Sequence, residues 1–294
     1  MKRNLLKTFG IALAFVSIVG VSSCSSSKVT NDRLVIGMEC NYQPFNWTAK
    51  ESSEYTLPIY KTNEFADGYD IQVAKFLSKE TGKEVEIHRL TWDALIPEVQ
   101  NGGINMVLAG MSVTTDRLEQ IDFTDPYLKS DLAFLVNKSA IPAGNSKENP
   151  ATYEELLDLF DGKTLVCQST VVGDSIIEDY FTNNDEGKTI RHADPLATYP
   201  LAAQDILSGN SFAMPAELPV VEAMVNLDSS KLGVLYVDYS FLSDTDLLGL
   251  SVNIGIKKGN DELKSELNEA LAKLSDSKRS ELMGAASTRS GENA

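Results

Sequence analysis

The residues best equipped for chemistry stand close together in the run Gly110-Met111-Ser112-Val113-Thr114-Thr115-Asp116-Arg117. Arg117 brings a planar guanidinium fork that can grip a carboxylate through two parallel hydrogen bonds. Ser112 adds a hydroxyl and a main-chain N–H, and Gly110 lets a ligand come close to the backbone. Thr114 is a good N-cap, so a helix should start behind it with its positive dipole end toward the loop. Together these groups could hold an organic anion. An ordinary strand-to-helix loop with a surface arginine uses the same residue types, and the residues alone leave both readings open.

The elements around this loop alternate. Trp92, Leu95, Ile96 and Val99 recur at helical spacing, and Asn101-Gly102-Gly103 stops the helix they predict over 92–100. The apolar run 104–109 then reads as a buried strand. Upstream, Arg33–Met38 is a short buried-strand pattern, Ile71, Ala74 and Leu77 give a helical face ended by Gly82, and 85–90 is the next strand. Strand alternating with helix predicts a parallel α/β unit. Downstream, Thr152 and Glu155 form a capping box ahead of a helix over Tyr153–Phe160. A strand over 164–167, helices over 173–181 and 196–207, strands over 232–239 and 247–256, and a closing helix after Asp261 follow. Pro215 should interrupt a strand before Glu217, and residues after Gly284 read as a frayed tail.

At 294 residues the chain can form about two folding units with a real core. Its formal charge of −16 argues against a nucleic-acid partner, whose phosphates need Lys and Arg. Lys2, Arg3 and Lys7 precede an apolar stretch over 11–21 that is too short to span a bilayer, so 1–23 reads as a targeting leader. Val21-Ser22-Ser23-Cys24 resembles a lipobox, which implies cleavage before Cys24 and a lipid on its thiol, with 24–32 as a flexible tether. Cleavage would remove three positive charges and no negative ones, so the lipid rather than the surface would have to hold the protein at the membrane. Cys40 and Cys167 make no CxxC, and His88 and His192 are far apart in sequence. No metal site and no cofactor are expected, and both cysteines are expected to be free, buried thiols.

The central stretch resembles the signature of the extracytoplasmic solute-binding proteins of polar amino-acid ABC transporters, family 3 type. In that family a strand leads into Gly/Ser-x-Ser/Thr-x-Thr-x-x-Arg, here Gly110 to Arg117. A segment of the form Ile-Asp-Phe-Ser/Thr-x-x-Tyr follows, here Ile121-Asp122-Phe123-Thr124-Asp125-Pro126-Tyr127. The resemblance extends to Glu39, Tyr42, Pro44 and Phe45 after the first strand, to Gly68-Tyr69-Asp70-Ile71, and to Ser208-Gly209 through Glu217 and Pro219. It covers most of 33–284. The loop over 49–67 is longer than the family pattern and should form a hairpin or flap. The family's Gln-x-Gly-Thr segment corresponds to Gln168-Ser169-Thr170, read as one residue shorter and lacking the glycine.

The resemblance implies an α/β, two-lobed periplasmic-binding-protein type II fold, its ligand cleft between lobes joined by two hinge strands. Lobe one would comprise 33–128 and 253–290, and lobe two 129–252. It implies that Arg117, Ser112, Gly110 and Thr170 hold a carboxylate, Glu217 takes an α-ammonium, and Tyr42, Trp92 and Glu39 face the ligand side chain. No catalytic residue is implied. The function implied is binding of a free polar L-amino acid outside the cell and its delivery to an ABC transporter permease by lobe closure, by a monomer held at the membrane through Cys24. Glu39 suggests arginine, lysine, histidine or glutamine, and cystine also fits. The alternative is a periplasmic cyclohexadienyl (prephenate/arogenate) dehydratase-like enzyme on the same fold. A sensor domain is a third reading, though no signalling domain accompanies it.

Overall fold

The structure, a computed structural model, describes residues 31–292. The leader over 1–23, the lipidation cysteine Cys24 and all but the last two residues of the tether lie outside the described residues. In chain order the first unit runs β1 (Arg33–Met38), β2 (Asn41–Tyr42), β3 (Asn46–Ala49), β4 (Leu57–Pro58), β5 (Phe65–Asp67), α1 (Tyr69–Thr81), β6 (Glu84–Arg89), α2 (Trp92–Asn101), β7 (Met106–Val107), α3 (Thr115–Gln120) and β8 (Ile121–Lys129). The second runs β9 (Leu132–Asn137), α4 (Tyr153–Phe160), β10 (Thr164–Leu165), α5 (Val172–Ile176), β11 (Arg191–His192), α6 (Tyr199–Leu207), β12 (Ala213–Glu217), α7 (Leu218–Val225), β13 (Leu232–Tyr236) and α8 (Asp244–Leu248). The chain then returns through β14 (Ser251–Lys257), α9 (Asp261–Leu271) and α10 (Asp276–Glu292).

Two five-stranded sheets result, ordered β6-β1-β7-β14-β8 and β11-β10-β12-β9-β13. In each, the first three strands are parallel and the fourth is antiparallel to both neighbours. The protein is thus a two-lobed α/β fold, with the same architecture built twice and no sequence repeat behind it. The chain crosses between the sheets at Ser130-Asp131 and again ahead of Ser251, where Ser130 N–H donates to Leu250 O at 3.1 Å. The long loop after β3 contributes β4 and β5, which join β2 and β3 in a small antiparallel sheet, β2-β3-β5-β4, in agreement with the expected hairpin or flap.

Three sequence expectations need correction. Pro215 does not interrupt a strand: β12 runs through it, paired with Phe134 of β9. Main-chain N and O of one strand residue point to the same side, and Pro215 O accepts from Cys167 Sγ on the β10 side. The β10 ladder ends at Ala213, so the missing N–H falls where no strand partner needs it. The strand expected over 247–256 starts only at Ser251, because residues 247–248 close α8, which Ser243 caps by accepting from Asp246 N–H. The expected tail after Gly284 is the second half of α10. Met283, Ala286 and Ser290 form its buried stripe, and Arg289 pairs with both oxygens of Asp67 at 2.8 and 2.9 Å. Two small residues in that stripe explain why no helical hydrophobic pattern was visible.

Candidate ligand site

The β1–β2 turn, the loop after β7 and the segment after β10 meet between the sheets. A tight space of about 260 Å³, open solvent at its mouth included, is lined there by Glu39, Tyr42, Trp92, Gly110, Ser112, Arg117 and Glu217, with Gln168, Val171, Val172 and Tyr199 completing it. Seven of the eight expected side-chain positions therefore share one wall. Thr170 is the exception. It lies just outside, where its hydroxyl accepts from Trp92 Nε1 at 2.9 Å and its carbonyl accepts from Arg117 Nη2 at 2.8 Å.

Local sequence sets these positions. Thr114 caps α3 by accepting from Arg117 N–H, which fixes Arg117 in the first turn. The guanidinium then reaches back to Ser112 O at 2.7 Å and across to Thr170 O, leaving further N–H groups of its five for a ligand. Its carbon also lies 5.1 Å from the Trp92 ring centre, a cation–π distance. Burial lowers the Arg117 pKa to about 10, still well above neutrality, so the group stays charged. On the other wall Gly68 is required: a Cβ there would sit 2.1 Å from Phe45 O, because the 44–45 carbonyls receive the first N–H groups of α1. That seating holds the turn carrying Tyr42.

Gly110 plays a different part from the one expected. Its φ of 61° needs glycine, and a Cβ would meet Tyr42 Cε1 at 2.5 Å. Its N–H, however, donates to Tyr127 OH at 2.9 Å, and Tyr127 in turn donates to the fully buried Asp70. What Gly110 can offer a ligand is its carbonyl, an acceptor suited to an ammonium rather than a carboxylate.

The segment over 168–171 also differs from expectation. It is not shortened. Thr170 itself has φ 60°, the left-handed conformation that glycine adopts without strain and that is rare for a β-branched residue. Counted without a gap, Thr170 stands where the motif has glycine, and Val171 stands where it has threonine. Val171 accordingly lines the space, and the hydroxyl expected of the second lobe is absent from its wall.

Acids dominate the remaining charge. Tyr42 OH donates to Glu217 Oε2 at 2.7 Å, and Gln168 Nε2 reaches both oxygens of Glu39 at 3.4 Å. Burial pushes Glu39 up to about 7, opposed by the Gln168 bond. Burial likewise raises Glu217, opposed by Tyr42 and by the charge of Arg117. Tyr42 stacks on Phe45 and on Tyr199, at 5.1 and 5.0 Å between centres. Gln168 and Tyr199 were not singled out from sequence. Gln168 was legible as the glutamine of the motif, and Tyr199 as the first residue behind the N-cap Thr198. Cys40 and Cys167 are free and buried, as expected.

The profile of the bacterial extracellular solute-binding proteins, family 3, matches residues 34–283. The chain is 28% identical over 140 residues to the arginine-binding extracellular protein ArtP of Bacillus subtilis (strain 168), covering 48% of this chain and half of that protein's length. It is 24% identical over 254 residues to the putative ABC transporter arginine-binding protein 2 of Escherichia coli (strain K12), covering 86% and 90% of the two chains. The crystal structure of the amino acid ABC transporter substrate-binding protein AbpA from Streptococcus pneumoniae Canada MDR_19A, bound to L-arginine, superposes with a TM-score of 0.68. It is 21% identical and covers 88% of this chain and 96% of that one, a likeness of fold.

Proposed function

The chain belongs to the bacterial extracellular solute-binding proteins of family 3, and from that premise we propose that it binds a free basic L-amino acid, L-arginine first, and hands it to an ABC transporter permease. One observation carries the choice of ligand. The space between the lobes holds one buried cation, Arg117, and two acids, Glu39 and Glu217. A basic amino acid carries one negative and two positive groups, so each charge finds its opposite and the closed site is neutral. Buried charges without partners are costly, which disfavours an acidic ligand.

In this reading Arg117 and the Ser112 N–H and hydroxyl take the α-carboxylate. Glu217 and the Gly110 carbonyl take the α-ammonium. Trp92 and Tyr42 flank the aliphatic stem, and Glu39, held by Gln168, takes the terminal cation. Thr170 contributes indirectly, by holding Trp92 and Arg117 in place. Closure would be a hinge motion about Ser130-Asp131 and the return strand into β14, presenting the closed lobes to the permease. We further propose that Cys24 carries a lipid that keeps the protein at the membrane, and that binding proceeds without chemistry on the ligand.

The test is a thermal-shift panel of the twenty amino acids and cystine. A ligand at about 100 times its Kd adds about 2.7 kcal/mol of stability, a plain rise in Tm. L-Arginine and L-lysine should give the largest shifts. A flat panel would sink the proposal, and a leading shift with glutamate would sink the charge argument. Incubation with prephenate or arogenate, followed by ultraviolet absorbance of an aromatic product, should show no turnover.

A further inference from the structure

Past Glu39 and Trp92 lies a second space that none of these roles uses. It measures about 1040 Å³ with its open mouth included, and its wall carries Asn41, Arg89, Thr91 and Asp93 from one lobe and Ser169 and Thr198 from the other. Only Glu39 and Trp92 line both spaces. Gly110, Ser112 and Glu217 line the inner one alone, whereas Arg117 also borders a separate cleft with Thr114 and Thr170. A basic amino acid seated as above thus has its α-ammonium away from this opening and its terminal nitrogen at the neck.

The outer wall mixes apolar surface from Leu90, Ala197 and Trp92 with hydroxyls, an amide, an acid in Asp93 and one guanidinium. Arg89 pairs with Glu64 at 2.8 Å, but both side chains are about two-fifths exposed, at 39% and 44%. An ion pair that open to water is weak and exchangeable, so the Arg89 fork can turn to a ligand carboxylate. Its other contact, to Thr48 Oγ1, is long at 3.4 Å.

We propose that this outer chamber is a second subsite, for a group carried on the terminal side-chain nitrogen of a basic amino acid, with Arg89 receiving a carboxylate at the far end of that group. The inference rests on the reading of the inner space as an amino-acid site. It extends the substrate class from free basic amino acids to their ω-N-substituted derivatives. A substituted guanidinium keeps its charge and so keeps its pairing with Glu39, while the substituent passes Trp92 into the outer chamber. Substitution at the α-nitrogen has no such outlet, because Glu217 and Gly110 do not border the opening.

The experiment is isothermal titration of the protein with four probes: L-arginine, Nω-methyl-L-arginine, argininosuccinate and Nα-acetyl-L-arginine. L-Arginine and the two ω-substituted probes should bind within about tenfold of one another, and the Nα-acetyl probe at least about a hundredfold more weakly, the loss of a charge-assisted bond. Arg89→Ala should weaken argininosuccinate by about tenfold or more and leave L-arginine within about twofold. Arg89→Lys, which keeps a charge, should recover part of the loss. If L-arginine binds but both ω-substituted probes do not, the outer subsite is overturned while the inner site stands. If Arg89→Ala weakens both ligands equally, or neither, the carboxylate role of Arg89 is overturned. If none of the four binds, it is the amino-acid reading itself that fails.

Discussion

Tyr42 donates its hydroxyl to Glu217 Oε2 at 2.7 Å, although 175 residues separate them and they belong to different lobes. The bond joins β2 to the junction of β12 and α7, so it exists only when the lobes are together. It also opposes the burial that raises the Glu217 pKa, and so favours the charged form that an ammonium needs. Tyr42→Phe keeps the stacking on Phe45 and Tyr199 and removes this bond together with the Tyr42–Tyr199 hydroxyl contact. A hydrogen bond to a charged group contributes about 1.5–3 kcal/mol, so Kd for L-arginine should rise by about ten- to a hundredfold. Titration calorimetry giving less than a twofold change would remove the bond from the binding energetics.

In the proposed binding mode the carboxylate end depends on Arg117. It is 7% exposed, it holds Ser112 O and Thr170 O, and it stacks near Trp92. Removing one partner of a buried charge pair costs about 2–5 kcal/mol, so Arg117→Ala should raise Kd by more than about thirtyfold. Arg117→Lys should not rescue it, since a point charge cannot reproduce the fork that spans two carbonyls and a carboxylate. Unchanged affinity in either variant by calorimetry would take Arg117 out of the site.

In the proposed binding mode Glu39 should make binding depend on pH, and the sign follows from its shift. Burial raises its pKa to about 7, so below pH 7 the free site is increasingly protonated there. A cation placed against it favours the charged form and lowers its pKa in the complex. The complex then binds fewer protons than the free protein, and affinity for a basic ligand falls as pH drops below 7, by up to about tenfold per pH unit. Titration at pH 8, 7 and 6, in two buffers of different ionisation enthalpy, should show proton release near pH 7. The same raised pKa has the opposite consequence for the unliganded fold. Its stabilising contribution is complete below the unfolded carboxylate range near 4.5 and is lost as pH rises through 7. A pH-independent Kd would mean that Glu39 does not face the ligand's cation.

Much of this was legible in the chain because local chemistry agreed with the fold. Thr114 caps, Gly102 terminates in the left-handed region, and Thr152 with Glu155 forms a complete capping box. The residues that set the cleft's chemistry fell on motif positions, which is why Glu39, Tyr42, Trp92, Ser112 and Arg117 could be picked out in advance. What escaped depended on long-range partners. The N–H of Gly110 is spent on Tyr127, an arrangement set by Asp70 far away in sequence. Thr170 takes a backbone conformation that its side chain gives no reason to expect, and this moves Val171 into the wall. Pro215 stays in a strand because the neighbouring ladder has already ended.

The C-terminal helix is the clearest case of a partner invisible in sequence, and it carries the last prediction. Arg289 on α10 makes a two-bond ion pair with Asp67 at the end of β5, with side-chain exposures of 15% and 7%. Asp67 also accepts from Gly68 N–H, the entry to α1. The Arg289 guanidinium lies 4.2 Å over the ring of Tyr55, and α10 packs on α1 and α7. The helix thus ties the flap and both lobes together. Arg289→Ala leaves a buried carboxylate without its counter-charge, a cost of about 3 kcal/mol at this level of burial. In a domain pair of this size that lowers Tm by roughly 6–12 °C. Arg289 lines neither space of the cleft, so Kd for L-arginine at 25 °C should stay within about threefold of its original value. Truncation after Gly284 should lower Tm by at least as much, because it removes Ala286 and Ser290 from the interface together with Arg289. A truncated protein that melts at the original temperature would show that this segment contributes nothing to the fold.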